Sequence, residues 1–275
     1  MNTFPKRERR TITGFSNPLV KFLRSLRDKK HRKREQRFLA EGLRLLTDAR
    51  TSGILPEMLV MAIGRAPHPL LDELEDAVIA AGGEVLEMDQ EILAKVTGKD
   101  NPQAVAGVFA EFDTRIAGID RGSAPIWLVA QALRDPGNLG TMLRTGDAVG
   151  AGGLILIDDC ADPFSVEAVR ASMGAIFTQK LAMARWDEFI GWLRQGDGQL
   201  VAASLRTPTT PYRQASFTAP CFLMVGNESQ GLPAEYEEAC DLRVTMPMRG
   251  RADSLNAAVA GAVLAYEALA QLDRA

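Results

Sequence analysis

Residues 246–256 read Met246-Pro247-Met248-Arg249-Gly250-Arg251-Ala252-Asp253-Ser254-Leu255-Asn256 and run straight into Ala257-Ala258-Val259-Ala260-Gly261-Ala262-Val263-Leu264-Ala265. The first stretch is a tight, polar, glycine-punctuated loop; the second is an alanine-rich helix. Ser254 and Asn256 stand at the helix mouth, where side-chain oxygens satisfy free backbone N–H groups. Capping alone needs one such residue. A Ser/Asn pair around Leu255, beside two arginines and after a Met-Pro-Met turn, carries more polar chemistry than a connection requires. Two earlier stretches look built to meet it.

Working back along the second half, apolar runs alternate with helical patterns. Ile126–Ala130, Leu154–Ile157, Leu200–Ala203 and Cys221–Val225 read as strands. Thr141–Val149, Ser165–Met173 and Trp186–Leu193 read as helices. Such alternation predicts a mostly parallel sheet covered on both faces, with ligands beyond the carboxyl ends of its strands. Asp135-Pro136-Gly137-Asn138-Leu139-Gly140 makes a strand-to-helix turn in which Asn138 is placed to cap the helix and Arg144 to point back toward the strand end. Val225-Gly226-Asn227-Glu228-Ser229-Gln230-Gly231-Leu232 follows another strand. Gly226 and Gly231 have the glycine spacing of a P-loop, but Leu232 stands where lysine is required. Gly150-Ala151-Gly152-Gly153 precedes a strand instead of following one, so it fails as a dinucleotide fingerprint.

Together and in this order the three loops are specific. Residues 135–148, Gly226-Asn227-Glu228 through Gly231-Leu232, and Met246-Pro247-Met248 with Ser254-Leu255-Asn256 resemble the three motifs of the SpoU/TrmH family of RNA ribose 2′-O-methyltransferases, within the SPOUT class. Arg170-Ala171-Ser172-Met173-Gly174 matches a further recurrent segment. The resemblance covers about residues 125–270. Residues 16–112, including Asn17-Pro18, Phe38–Gly42 and Pro102-Gln103, resemble more loosely the small substrate-binding domain that often precedes it. Ala257-Ala258 and Met246 depart mildly from the family's Val-Ser and Ile.

The resemblance implies an α/β fold with a SPOUT-type trefoil knot, S-adenosylmethionine as cofactor, and a homodimer with the site near the subunit interface. Gly226, Met246 and Leu255 would line the cofactor, largely through backbone groups. Asn138, Arg144, Glu228, Ser254 and Asn256 would form the catalytic centre. The second half holds no histidine, so no imidazole base is available within it. A guanidinium stays protonated, which favours Arg144 as phosphate clamp and alkoxide stabiliser over general base. Glu228 would orient Arg144 or accept a proton. Ser254 and Asn256 would hold the ribose, cap the helix, or do both. The rivals are a non-catalytic RNA-binding or ribosome-assembly protein on the same fold, a transfer-RNA ribose methyltransferase, and a base methyltransferase. Ribosomal RNA is preferred over transfer RNA by analogy with members that carry the extra domain.

Composition bounds the rest. With 46% hydrophobic residues among 275, the chain can bury two cores. Its net charge of −3 conceals an asymmetry: residues 1–35 hold 12 Lys/Arg against three acids, while the remainder is strongly acidic. A basic leader on an acidic body suggests a polyanion touched at one end. Neither a membrane-spanning run nor a secretory leader is read, and Cys160, Cys221 and Cys240 read as reduced, buried thiols of a cytoplasmic protein. His31 and His68 have no metal-ligand neighbours at useful spacing, so no metal is expected. The expected organisation is a basic flexible arm (1–15), an RNA-binding α/β domain (16–112), a linker (113–124) and a methyltransferase domain (125–275). Within the first domain Leu19, Phe22, Leu23 and Leu26 have helical spacing, and Arg27–Arg34 is a basic loop or helix extension.

Overall fold

The computed structural model describes residues 9–99 and 103–274 and divides the chain into two compact units. One comprises residues up to Glu111 together with Phe164–Arg170; the other comprises Phe112–Pro163 and Ala171 onward. The segment 164–170, read from sequence as part of the second domain, therefore belongs with the first unit.

The first unit is a five-stranded mixed sheet ordered β1-β4-β3-β5-β2, built from β1 (Arg9–Ile12), β2 (Arg37–Glu41), β3 (Met58–Ala62), β4 (Glu84–Met88) and β5 (Val105–Ala110). Helices α1 (Pro18–Ser25), α2 (Lys29–Glu35), α3 (Leu43–Thr51), α4 (Pro69–Ala80) and α5 (Gln90–Thr97) complete it. Asn17 caps α1 through its side chain and Pro18 occupies the first turn, as the Asn-Pro pair predicts. Val20, Leu23 and Leu26 pack into a core with Val60, Leu86 and Val96. The basic tract from Arg27 resolves into a turn and α2, capped by Asp28.

The expected arm needs correction. Residues 1–8 lie outside the described residues, but Arg9–Ile12 form β1, parallel to β4, with Ile12 fully buried. Arg9 drives this. Its guanidinium forks onto the buried Glu75 carboxylate at 2.6 and 2.8 Å and reaches Glu87 at 3.0 Å. A strand whose pairing depends on an arginine meeting carboxylates 66 and 78 residues away carries no local signature. Pro102 of the loosely matched segment is also outside the described residues.

The second unit is a seven-stranded, wholly parallel sheet ordered β10-β12-β9-β11-β6-β7-β8. Its strands are β6 (Ile126–Gln131), β7 (Gly153–Ile157), β8 (Lys180–Ala184), β9 (Gln199–Ala203), β10 (Thr210–Pro211), β11 (Cys221–Val225) and β12 (Leu242–Thr245). Every residue of β6, β7 and β11 is buried, which is why these read as unbroken apolar runs. Helices α6 (Pro136–Ala148), α8 (Trp186–Leu193), α9 (Ala234–Glu238) and α10 (Ala257–Leu272) accompany the sheet, whereas α7 (Val166–Ala171), all but its last residue, belongs with the first unit. The strands β8, β10 and β12 and helix α9 are absent from the sequence reading; β12, Leu-Arg-Val-Thr, buries only Val244 and so shows no apolar run.

Residues 113–124, read as a linker, lie within the second unit. The Arg121 guanidinium donates to the carbonyls of Leu193 and Trp192 at 2.7 and 2.6 Å and stacks over the Trp192 ring. A polar stretch without periodicity is here a packed strap, held by Arg121, by buried Ile116 and by the Thr114 carbonyl, which accepts from Met183 N at 2.8 Å.

Candidate active site

Because the sheet is parallel, the carboxyl ends of β12, β9, β11 and β6, four neighbours in the order, lie on one edge. The loops leaving β6, β11 and β12 are the three motif loops.

The β6 loop enters α6 earlier than the sequence suggests. Helix begins at Pro136, and Asp135 is the cap, accepting from the Asn138 N–H at 2.7 Å. Asn138 is thus not the cap, and its side chain is free for other work. Its Nδ2 donates to Glu228 Oε1 at 3.0 Å, and its Oδ1 accepts from Asn256 Nδ2 at 2.9 Å. Asn256 is the cap of α10, accepting from Ala258 N at 2.9 Å and Val259 N at 3.2 Å. Three motif residues, one per loop, thereby form a single hydrogen-bonded chain.

The β11 loop is closed by its own backbone. A Cβ at Gly226 would lie 2.5 Å from Gly231 C and 2.6 Å from Leu232 N, so only glycine allows the loop to fold back this tightly. Asn227, a residue without an assigned role in the sequence reading, ties this loop to the β6 loop by donating to the Ala132 carbonyl at 2.8 Å. Its Oδ1 accepts from Ser229 N and Gln230 N, holding the turn. Glu228 also accepts from the Arg134 N–H at 3.4 Å. Partial burial pushes the Glu228 carboxyl up, but the hydrogen bonds from the Asn138 side chain and the surrounding backbone outweigh it and hold the group below its ordinary range. Glu228 is an ionised acceptor.

Beneath these loops is a cavity of about 260 Å³. Gly226, Met246 and Leu255 all line it, as do Glu228 and Ser254. Ser254 does not cap α10; Asn256 does so alone. Arg144 and Asn138 are not among the lining residues. Arg144 is exposed on the stripe of α6 that carries Gly137 and Thr141, and it makes no hydrogen bond or ion pair among the described residues. The expectation that Glu228 orients Arg144 is therefore replaced: Glu228 is paired with Asn138.

Three lining residues escaped the sequence reading. Glu237, on α9, is 4% exposed and accepts from Ser204 Oγ at 2.7 Å. Arg206 Nε lies 3.8 Å from its other oxygen. A carboxylate in the wall of a cavity is costly to bury and suits a ligand bearing hydroxyl or amino donors. Apolar groups from Val225, Leu232, Val244 and Ala260 supply the rest of the wall. Such a mixture fits an adenosyl amino acid, with flat apolar, ribose and amino parts. The sequence Ala-Glu-Tyr-Glu-Glu gives no hint that its middle glutamate turns inward.

Among the described residues no group of His, Cys, Asp and Glu could hold a metal ion. No described helix is long and apolar enough to cross a membrane.

Residues 125–266 match the SpoU rRNA methylase family, and residues 17–107 match the MRM3-like substrate binding domain. The chain is similar to the 23S rRNA (guanosine(2553)-2′-O)-methyltransferase RlmP of Bacillus subtilis, at 32% identity over 93% of this chain and 97% of that protein. It also resembles the crystal structure of an AdoMet-bound rRNA methyltransferase from Sinorhizobium meliloti, with a TM-score of 0.89, 38% identity, and coverage of 96% of this chain and 98% of that one. The SpoU methyltransferase AviRb of Streptomyces viridochromogenes, solved in complex with AdoMet, superposes with a TM-score of 0.84 at 26% identity, covering 94% and 98% of the respective chains. With its motif loops joined at one sheet edge and the family match covering just over half its length, the chain belongs to the SpoU rRNA methylase family.

Proposed function

We propose that this chain transfers a methyl group from S-adenosylmethionine to a ribose 2′-hydroxyl of ribosomal RNA, in the cytoplasm. The observation that carries the reading is the Glu228–Asn138–Asn256 chain beside a cavity lined by Gly226, Met246 and Leu255. The likeness to RlmP supports ribosomal RNA as substrate.

Gly226, Met246, Leu255 and Glu237 would hold the cofactor. S-adenosylmethionine, when bound, supplies an electrophilic methyl group on a sulfonium. What this chain must do is position a ribose hydroxyl in line and accommodate the charge that develops as its proton leaves. Asn138 and Asn256 fix the edge of the site with mutually oriented amides. Ser254, free of the helix terminus, offers its hydroxyl to the ribose. Arg144, exposed and unpaired among the described residues, is available to clamp the adjoining phosphate and stabilise the alkoxide. Glu228 holds Asn138 and stays ionised.

The same reading includes a trefoil knot in the second unit and a homodimer. Half-exposed Val259 and Tyr266 on α10 (48% and 54%) support a protein-covered face there. Light scattering on the purified protein tests the dimer.

Methylation is tested by incubating the protein with methyl-labelled S-adenosylmethionine and RNA from a strain lacking the gene, followed by alkaline hydrolysis. Label in alkali-resistant dinucleotides from ribosomal RNA is the expected result. Label on mononucleotides would mean base methylation and would overturn the reading.

A further inference from the structure

The basic leader is more than a diffuse field of charge. We propose that Lys21, Arg24, Arg27 and His31 form a seat for a phosphodiester group of the RNA backbone, an inference that rests on the RNA substrate proposed above. Lys21 and Arg24, three residues apart on α1, share an exposed stripe; Arg27 comes from the turn and His31 from α2. These four side chains, with Ser25 and Asp28, surround one surface concavity.

Four observations distinguish it from a solvated basic face. The side chains of Lys21, Arg24 and Arg27 make no ion pair or hydrogen bond among the described residues. Arg9, Arg37, Arg50 and Arg65 of the same unit, by contrast, each lie against a carboxylate. The single acid of the lining, Asp28, is engaged as the cap of α2, accepting from Lys30 N at 2.8 Å and His31 N at 3.3 Å. The Arg27 guanidinium packs against Gly98, so close that a Cβ there would collide with its Cζ. Gly98 has φ +74° as the C-cap of α5 and donates to the Ala94 carbonyl at 2.8 Å. The glycine both ends that helix and leaves room for the guanidinium at the helix end. Finally, His31 Nδ1 is buried and has no hydrogen-bond partner among the described residues.

A planar guanidinium with flanking ammonium and imidazole donors is the chemistry that recognises a phosphate oxygen. Such contacts fix register without reading sequence. Each cation placed on a phosphate also releases counterions, which makes the seat measurable through salt dependence.

The test is equilibrium binding of the full chain to a ribosomal RNA fragment across a range of KCl concentrations. The seat variant Lys21→Ala/Arg24→Ala/Arg27→Ala is compared with Lys29→Ala/Lys30→Ala/Lys33→Ala, which removes the same charge from the same segment but spares the concavity. The seat variant should lose about tenfold or more in affinity near 0.1 M salt, equally for unrelated RNA sequences, with the salt slope reduced by about one or more. The control should lose about threefold or less. Gly98→Ala displaces Arg27 without changing charge and should reproduce much of the loss, with the fold checked by circular dichroism. Equal weakening of seat and control variants, or unchanged binding by the seat variant, would overturn the proposal. In methylation assays the seat variant should show a raised KM for RNA with kcat intact. If the wild-type chain methylates no ribose, the functional reading fails, while the binding comparison still decides the seat.

Discussion

Asn138 Nδ2 donates to Glu228 Oε1 at 3.0 Å, across 90 positions of sequence, and this bond has only one possible polarity. The backbone N–H groups opening α10 occupy Asn256 Oδ1, which leaves Asn256 Nδ2 as the donor toward Asn138. Asn138 must then present its oxygen to Asn256 and its nitrogen to Glu228, where an ionised carboxylate can only accept. The free N–H groups of a helix are thus relayed through two amides to a carboxylate. Rotating the Asn138 amide would break two bonds and rotating that of Asn256 three, so the three loops are mutually fixed.

Arg144 makes no contact that the fold needs. Arg144→Ala should therefore leave the melting temperature within about a degree of wild type while lowering turnover about 10²-fold or more. Lysine should restore little, because a point charge cannot reproduce a planar fork of donors. Steady-state kinetics with RNA affinity measured in parallel check this; unchanged turnover with intact RNA binding would sink the clamp role.

Gly226→Ala forces a methyl group into the backbone of Gly231 and Leu232. The loop must open, so S-adenosylmethionine affinity should fall about tenfold or more, with a stability loss of about 1–3 kcal/mol from overpacking. Calorimetric titration and urea unfolding give the two numbers separately.

Much of the fold was legible in the chain. β6, β7 and β11 are buried on both faces and announce themselves as apolar runs, and Asn17 with Pro18 marks the entry to α1. What stayed hidden depends on partners far away in sequence. β1 needs Glu75 and Glu87, β12 is a short edge-side strand with one buried residue, and the inward-turned Glu237 meets Ser204, 33 positions away. The candidate site residues were singled out through motif resemblance, but the pairing among them was not. Nothing in Asp-Pro-Gly-Asn says that aspartate takes the cap and frees the asparagine.

Arg9→Ala removes the principal partner of a fully buried carboxylate. Arg65, 3.9 Å from Glu75, remains to compensate in part. A loss of about 2 kcal/mol is expected, below the full cost of stranding a buried charge, with β1 amides losing hydrogen-exchange protection before the rest of the sheet. Full retention of that protection would contradict the account of why β1 forms.

Burial pushes the thiols up, Cys160 to about 11 and Cys221 and Cys240 to about 12. In the unfolded chain they ionise near ~8.5. Between these values the unfolded state loses protons that the native state keeps, so stability is fully present below about pH 8.5 and falls as pH rises toward about 11. Urea midpoints should decline over that window, and Cys160→Ala/Cys221→Ala should flatten the decline. In native protein a thiol reagent should react slowly, with all three groups becoming reactive on unfolding.

The most direct test of the central claim is Asn138→Ala, read by single-turnover ribose methylation alongside S-adenosylmethionine affinity. Asp135 still caps α6, so the fold should persist, and no residue lining the cavity is replaced. The predicted result is a methylation rate lowered about 10²-fold with cofactor affinity within about threefold of wild type. An unchanged rate would contradict the claim that the Glu228–Asn138–Asn256 chain organises the reaction.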